Sequence, residues 1–486
     1  MDLMRRLLTF AVVGFWAVMV GALVRKQLPP SGAAMTDLPA GAVRERDEWF
    51  AVQREGRQVG HAHRVTARRA DGQVFSEDSV IAVAMLGVPQ TLVTSLVAET
   101  DEAFALQRFR FRLVTPAAVF SATGTSDGRQ LAVAYGPEGH VQRVTLPLTE
   151  PIYLPSTLRP RVLAGDLVPG TTYTAPVFNP LTLRNEPLTV TIEGREDLEG
   201  PDGRVEAVRL SEEHQGLRAR VWLAPDGAVL REEGSLGFTL VRQPREVALA
   251  DRGTGAPVDL VATSLIPLVG HIDDPRRRDR LTLRVGGDAA GSIPDDPPRQ
   301  RIAAGVLRIA REEPPAPSPL AGAPGGALAA YVAPSPFIES DDAAIVAATR
   351  AVVGAERDAT AAARRLVAWV HRNVEQEPSV TVPSAREVLA SRRGDCNELA
   401  VLLTALARAA GIPARMVAGA MYQNDAFYYH AWTELWLGRW VSADAVFDQM
   451  PADATHVKLL EGGPERHVAL AGIVGRLAFA VQEAGS

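Results

Sequence analysis

Eighteen uncharged positions, Leu7 to Val24, stand between Arg5-Arg6 and Arg25-Lys26. As a helix this run extends roughly 27 Å at about 1.5 Å per residue, close to a bilayer hydrocarbon thickness of about 30 Å. It predicts a transmembrane anchor over residues 1–26. A cleaved signal peptide is the rival, but its apolar run is usually about 7–15 residues and needs a small-x-small cleavage site, whereas Gly21-Ala22-Leu23-Val24 meets Arg25 directly. The flanking charges balance, two on each side, so charge asymmetry does not orient the span.

Residues 27–43, with Pro29-Pro30-Ser31-Gly32 and Gly41, read as a flexible tether. The hydrophobic period then becomes short and β-prone, as in Phe109–Val114, Gln130–Tyr135, Leu188–Ile192, Leu217–Leu223 and Val229–Glu233. Asp71-Gly72, Asp127-Gly128, Asp202-Gly203 and Asp226-Gly227 punctuate these runs as hairpin turns. The pattern predicts an all-β accessory region over residues 44–251, as one large or two small domains. A smaller β-containing segment follows over 252–313, with a strand at Leu281–Val285. A Pro/Gly-rich stretch over 314–333 then marks a boundary before a new domain over 334–470, with a strand or tail over 471–486.

Helical periodicity returns from Asp341. Asp358 is placed to cap a helix carrying Leu366, Val367, Val370 and Val374, and Ser384-Ala385-Arg386-Glu387 is a capping-box signature. Asp395 and Glu398 form a second one, ahead of the apolar positions Leu399, Leu402, Leu403 and Leu406, and this helix ends at Gly411 and Pro413. Phe427–Trp436 and Trp440–Val446 then read as two strands of a hairpin.

Composition narrows the classes. A chain of 486 residues holds two to four domains at about 100–200 residues each. With 47% hydrophobic and 22% charged residues it has ample material for cores. A net charge of −6 from 51 basic and 57 acidic side chains excludes a nucleic-acid binder that relies on a broad basic field. The single cysteine, Cys396, excludes intrachain disulfides and thiolate metal clusters. His61 and His63 share a strand face without a nearby third ligand, which reads as a satisfied surface pair. Arg276-Arg277-Arg278-Asp279-Arg280 reads as a solvated turn in preference to an anion patch. No cofactor or metal motif is present, and neither is expected.

The chemistry concentrates around Cys396, at the first position of its helix. Positive helix-end potential favours a thiolate there, and first-turn N–H groups suit a developing oxyanion. Asp395 and Glu398 oppose the thiolate, so a histidine from another element is needed. His430 and Asp444 lie on the two strands of the hairpin, and register decides whether they meet. A two-residue turn at Gly438-Arg439 pairs Thr433 with Asp444 and turns His430 to the other face. A three-residue loop, Leu437 to Arg439, pairs Trp432 with Asp444 and makes His430 its diagonal neighbour, about 7–8 Å away between backbones. The three-residue loop, or an equivalent bulge, is the expectation. Tyr428, Tyr429, Trp432, Trp436 and Trp440 are candidates either for walling a cleft or for packing a small core.

Gly394-Asp395-Cys396, then His430-Ala431-Trp432, Trp440 and Asp444, together resemble the transglutaminase-like superfamily, over roughly Pro334 to Gly463. With the patterns above, this gives the expected fold class of a multidomain chain: an N-terminal transmembrane helix, an all-β accessory region and a C-terminal α+β domain, which the resemblance implies is papain-like. The resemblance also implies Cys396 as nucleophile, His430 as base and then acid, and Asp444 as the carboxylate orienting the imidazole. The activity implied is thiol acyl transfer on amide bonds, ending in hydrolysis or transamidation. Many relatives carry proline after the triad aspartate, where this chain has Ala445. Asp453-Ala454-Thr455-His456 resembles a stretch common in bacterial members and reads as a turn in which Asp453 bonds nearby backbone. Resemblance to N-terminal signal anchors places the bulk of the chain outside the cytoplasm. The expected partners are a protein or peptide substrate, with cell-envelope material among the candidates, and the membrane through the N-terminal helix, but no nucleic acid. A non-catalytic, membrane-tethered module that binds a protein or cell-wall partner through the β region is the alternative.

Overall fold

The computed structural model describes residues 33–485 except 39–43, 86, 117, 138–140, 201–202, 215, 235–236, 251–256, 260–264, 321–324, 379–383, 468 and 471–472. The expected anchor over 1–26 and most of the tether lie outside the described residues, as do Asp202 of one turn pair and residues 321–324 of the Pro/Gly-rich stretch. Among the described residues no helix is long and apolar enough to cross a membrane.

The β region forms one sheet. Eight consecutive strands, from Arg46–Arg54 to Gln142–Pro147, pair antiparallel in sequence order. A second run, from Thr172–Asn179 to Phe238–Gln243, does the same and joins the first where Phe238–Gln243 pairs with Arg46–Arg54. Asp71-Gly72, Asp127-Gly128 and Asp226-Gly227 sit in hairpin connections, as their turn chemistry requires. At Gly72 a Cβ would lie 1.9 Å from the Thr100 carbonyl oxygen, so only glycine fits that corner. The sheet curls. Phe178, from the second run, packs in one core with Phe109, Phe120 and Leu131 from the first. Helix Pro155–Ala164 enters the concave side, where Leu158 and Val162 meet Phe50, Val190 and Leu210. His63 stacks on Trp49 with centroids 4.0 Å apart and bonds Asp47 at 2.8 Å, the satisfied surface arrangement its strand pattern suggested.

The segment before the proline-rich stretch does not pack alone. Arg280–Gly286, Gln300–Ala303 and Val306–Ala310 join the C-terminal strand Ala478–Gly485 and the short Leu268–Val269 in a five-stranded sheet. Leu281, Leu283, Leu307 and Phe479 of this sheet share a core with Ala418, Ala420, Phe427 and Val457 from beyond residue 400. The proline-rich stretch is laid over the start of a helix: Ala316 and Ser318 carbonyls accept from Thr360 Oγ1 and Ala359 N, at 2.9 and 2.7 Å.

Helices Ala343–Val353, Ala359–Asn373, Ala385–Ser391 and Cys396–Ala409 pack on one face of a four-stranded antiparallel sheet. Its strands run in the order Trp440–Ala443, Ala426–Trp436, Ala414–Gln423, His456–Glu461. Asp358 caps its helix as expected, accepting from Ala361 N. Ser384 takes the N-cap position, but its hydroxyl bonds the Glu339 carboxylate instead of the helix backbone, so the capping box expected there does not form. Along the central strand, Ala431, Thr433 and Leu435 face the helices, with Thr433 Oγ1 3.1 Å from Thr404 Oγ1. His430, Trp432 and Glu434 therefore take the other face.

Candidate active site

The Cys396 helix begins on a local motif that depends on each of its residues. Asp395 Oδ1 accepts from Asn397 N at 2.7 Å, and Glu398 Oε2 accepts from Asp395 N at 2.9 Å, a complete capping box. Gly394 has φ 154°, and a Cβ there would lie 2.3 Å from Glu398 Cβ and 2.4 Å from its Cγ. The box closes only because residue 394 has no side chain.

Cys396 stands half-buried at the first helical position. Burial, and then the Asp395 carboxylate, push its thiol well above the ordinary range, against a smaller opposing pull from the Ala431 N–H that points at the sulfur. The sulfur thus lies against the peptide that follows His430. Beside it, a recess lined by Leu399, Ala431, Trp432, Ala443 and Val446 has no room for a water molecule.

The hairpin has the register that a histidine–aspartate contact needs. Trp436 pairs with Trp440 and Thr433 with Ala443, across a Leu437-Gly438-Arg439 loop closed by Leu437 N to the Arg439 carbonyl at 2.9 Å. Continuing the ladder sets Asp444 opposite Trp432, and His430 reaches it diagonally: Nε2 to Oδ2 is 2.7 Å. Ala445, in place of proline, leaves the loop well held, since Asp444 N bonds the Gln449 carbonyl at 2.8 Å and Val446 N bonds Asp444 Oδ1 at 2.7 Å. Among the described residues no hydrogen bond joins Cys396 to His430.

Asp444 has a second imidazole. His456 Nε2 lies 2.9 Å from the same Oδ2, and His456 Nδ1 lies 3.3 Å from Asp453 Oδ1. His430, Asp444, Asp453 and His456 are all buried. Asp453 bonds Thr455 N at 2.8 Å, the turn its sequence suggested, and also meets Arg276 at 3.0 Å. Arg276 lies 4.4 Å over the Phe447 ring. It is a buttress of this cluster, not the solvated turn residue expected from its arginine-rich context. Burial works to raise the Asp444 carboxyl, but His430 and His456 outweigh it and hold it well below the usual carboxylate range. For His456, burial opposes the charge, and Asp453 with Asp444 outweighs it, raising the imidazole.

An ionised carboxylate only accepts, so both Nε2 atoms carry hydrogen, and of the two neutral tautomers of His430 the network selects the one whose hydrogen is on Nε2. Ligand atoms of His430, Asp444 and His456 lie within 4.8 Å of one another, the separation of a metal-binding set. Two N–H donors converging on one oxygen make it a hydrogen-bonded cluster; a cation there would require both nitrogens to lose their protons.

The aromatic residues divide. Trp432 stacks near His430 at 6.2 Å, and Tyr429 bonds Asn397 beside the cysteine. Trp436 and Trp440 pack on each other at the far end of the hairpin, 5.5 Å apart, and wall no cleft around Cys396. A cavity of about 300 Å³ lies in the β region between Arg46, Glu48, Arg64, Arg159 and Leu163, away from the cysteine.

Residues 346–445 match the model of the transglutaminase-like superfamily. No curated protein matches the chain. Among solved structures, a candidate cysteine protease from Cytophaga hutchinsonii is 19% identical, covering 45% of this chain and 88% of that one with a TM-score of 0.30. A β-barrel-like protein with a domain of unknown function, from Brucella abortus, is 12% identical over 41% of this chain and 96% of its own, with a TM-score of 0.33.

Proposed function

Starting from a chain that carries a transglutaminase-like domain at residues 346–445, we propose that it is a thiol acyl-transfer enzyme with Cys396 as nucleophile, His430 as base and then acid, and Asp444 as the orienting carboxylate. The observation that carries this reading is the 2.7 Å His430–Asp444 hydrogen bond, made while the next peptide N–H points at the cysteine sulfur. With Nε2–H fixed on Asp444, His430 Nδ1 takes the thiol proton as sulfur attacks an amide carbonyl. The Cys396 N–H, free at the helix start, stabilises the oxyanion. The amine leaves with a proton from His430 and a thioester remains. Water as acceptor gives hydrolysis; an amine gives transamidation. The substrate in this reading is a protein or peptide, of the cell envelope where the Leu7–Val24 run anchors the chain with its bulk outside the cytoplasm.

The test is acylation by p-nitrophenyl acetate, followed by intact mass. Acetyl addition is expected on the wild type, absent in Cys396→Ala and at least about 100-fold slower in His430→Ala. Equal rates in wild type and His430→Ala overturn the reading.

A further inference from the structure

Counting charge around Asp444 gives a result that a two-residue dyad would not. Asp444 and Asp453 contribute two negative charges, and His456 and Arg276 contribute two positive ones when His456 holds both protons, one on each carboxylate. Other charged groups nearby are paired among themselves. Lys458, two residues along the same strand, is bound by Asp296, Glu434 and Glu461, the last two shared with Arg415, so that group carries one net negative charge of its own. Arg299, whose guanidinium reaches the Asp453 carbonyl, is paired with Glu312. Asp395 and Glu398 lie on the cysteine side and disfavour a thiolate. The cluster behind His430 is therefore neutral, where a lone aspartate would present a full negative charge to it.

We propose that His456 is a positioning residue that fixes Asp444 by its second hydrogen bond and, as a cation held by Asp453, keeps the resting Cys396–His430 pair as neutral thiol and neutral imidazole. The proposal rests on the acyl-transfer reading above. Two consequences follow. Proton transfer from sulfur to His430 occurs during attack, not before it, so the half-buried thiol is protected from stray electrophiles until a carbonyl is in place. Removal of the His456 charge leaves Asp444, Asp453 and Arg276 with one net negative charge behind His430, which favours transfer of the thiol proton to it. The two rings are 5.5 Å apart, and full charges at that separation shift a protonation equilibrium by roughly 100-fold at an effective dielectric of about 20.

The experiment is the rate of Cys396 alkylation by iodoacetamide between pH 5 and 10, read on the full chain, whose single cysteine makes the label unambiguous. Wild type is expected to show one limb, rising only above the ordinary thiol range. His456→Gln keeps an N–H for Asp444 and removes the charge; a second limb should appear one to two pH units lower, with at least about tenfold faster alkylation at pH 6. Asp453→Asn removes the counter-charge of His456 but leaves Arg276 unbalanced, so the groups behind His430 become no more negative than in the wild type and no second limb should appear. An unchanged profile in folded His456→Gln, a second limb in Asp453→Asn, or a wild-type plateau between pH 5 and 8 overturns the proposal. Nitrogen-15 imidazole spectra of the wild type test it without any substitution. At pH 7 the buried pair should consist of one doubly protonated ring and one neutral Nε2–H ring, and two rings in the same state overturn it. None of these outcomes depends on acetyl transfer, whose loss of His430 dependence would instead sink the enzymatic reading.

Discussion

Asp444→Asn isolates what the carboxylate does, because three donors converge on its two oxygens: His430 Nε2 at 2.7 Å and His456 Nε2 at 2.9 Å on one, and Val446 N at 2.7 Å on the other. An asparagine has one oxygen, so each of its two orientations fails somewhere. With the amide oxygen toward the imidazoles, its NH2 confronts the Val446 N–H. The buried donor left unmatched costs about 1–3 kcal/mol. With the NH2 toward the imidazoles, both rings must offer a lone pair at Nε2, and His430 then carries its hydrogen on Nδ1. In that tautomer it cannot take a proton from sulfur. The second orientation keeps the Val446 bond and a buried amide donor satisfied, and it is the one we expect. Acetylation of Cys396 should then fall by about 10³–10⁴-fold, the size of effect that a wrong tautomer produces. Thermal unfolding should move by no more than the unmatched donor allows. The assay pairs intact-mass acetylation kinetics with a nitrogen-15 spectrum, which reads the tautomer directly. A folded Asp444→Asn protein that retains more than a tenth of the wild-type rate would refute the assignment of Asp444 as the group that sets the His430 tautomer.

Two other predictions concern the helix start and the buried charges. Gly394→Ala sets a methyl 2.3–2.4 Å from Glu398 Cβ and Cγ, so the capping box must open. Loss of the cap at about 1 kcal/mol and backbone strain at about 1–3 kcal/mol should together destabilise the helical domain by about 2–4 kcal/mol and slow acetylation; a wild-type melting temperature counts against the clash. For pH, Asp444 and Asp453 are both held well below the ordinary carboxylate range, so their contribution is complete above their unfolded values near pH 4 and is lost as pH falls through the lower folded values. His456 is raised, so its contribution is complete below about pH 6.5 and is lost as pH rises through its folded value. Melting temperature against pH should therefore decline on both sides of a plateau, and Asp453→Asn should weaken both declines; an unaltered curve in that variant would remove the cluster from the pH response.

The parts of the site that were legible in the sequence are those set by neighbours a few residues apart. The Asp395–Glu398 box follows from spacing and an apolar run, and the hairpin register follows from counting residues between His430 and Asp444 and asking which loop lets their faces agree. Ser384 shows the limit of such reasoning. Its signature is as good as that of Asp395, yet its hydroxyl donates to the Glu339 carboxylate, 45 residues away, and accepts from no N–H of its own helix's first turn. His456 lay outside local reasoning for the same kind of cause. Its approach to Asp444 depends on the pairing of His456–Glu461 with Ala414–Gln423, which includes a register shift between Ala418 and Gly419 that no turn signal announces. Arg276 reaches Asp453 from 177 residues away in sequence, and an arginine-rich turn looks the same whether it faces water or a buried carboxylate.

These long-range contacts bear on where the catalytic unit ends. The family match closes at residue 445, directly after Asp444, and so includes the three residues assigned to chemistry. The groups that hold Asp444 from behind lie beyond it: His456 and Asp453 on one side, and on the other Arg276 and Arg299, which precede the proline-rich stretch. Those arginines are carried by a segment whose sheet is completed by the C-terminal strand and whose core is shared with the His430 strand and with Ala414–Gln423 and His456–Glu461. A fragment cut to the matched span would keep the triad and lose the second imidazole, both arginines and most of that core. Asp444 would then face His430 as a lone carboxylate at an opened sheet edge, in the charge state that the intact cluster prevents. The unit able to hold the site in its resting state therefore begins before the proline-rich stretch, near Ile266, and closes only with Ala478–Gly485.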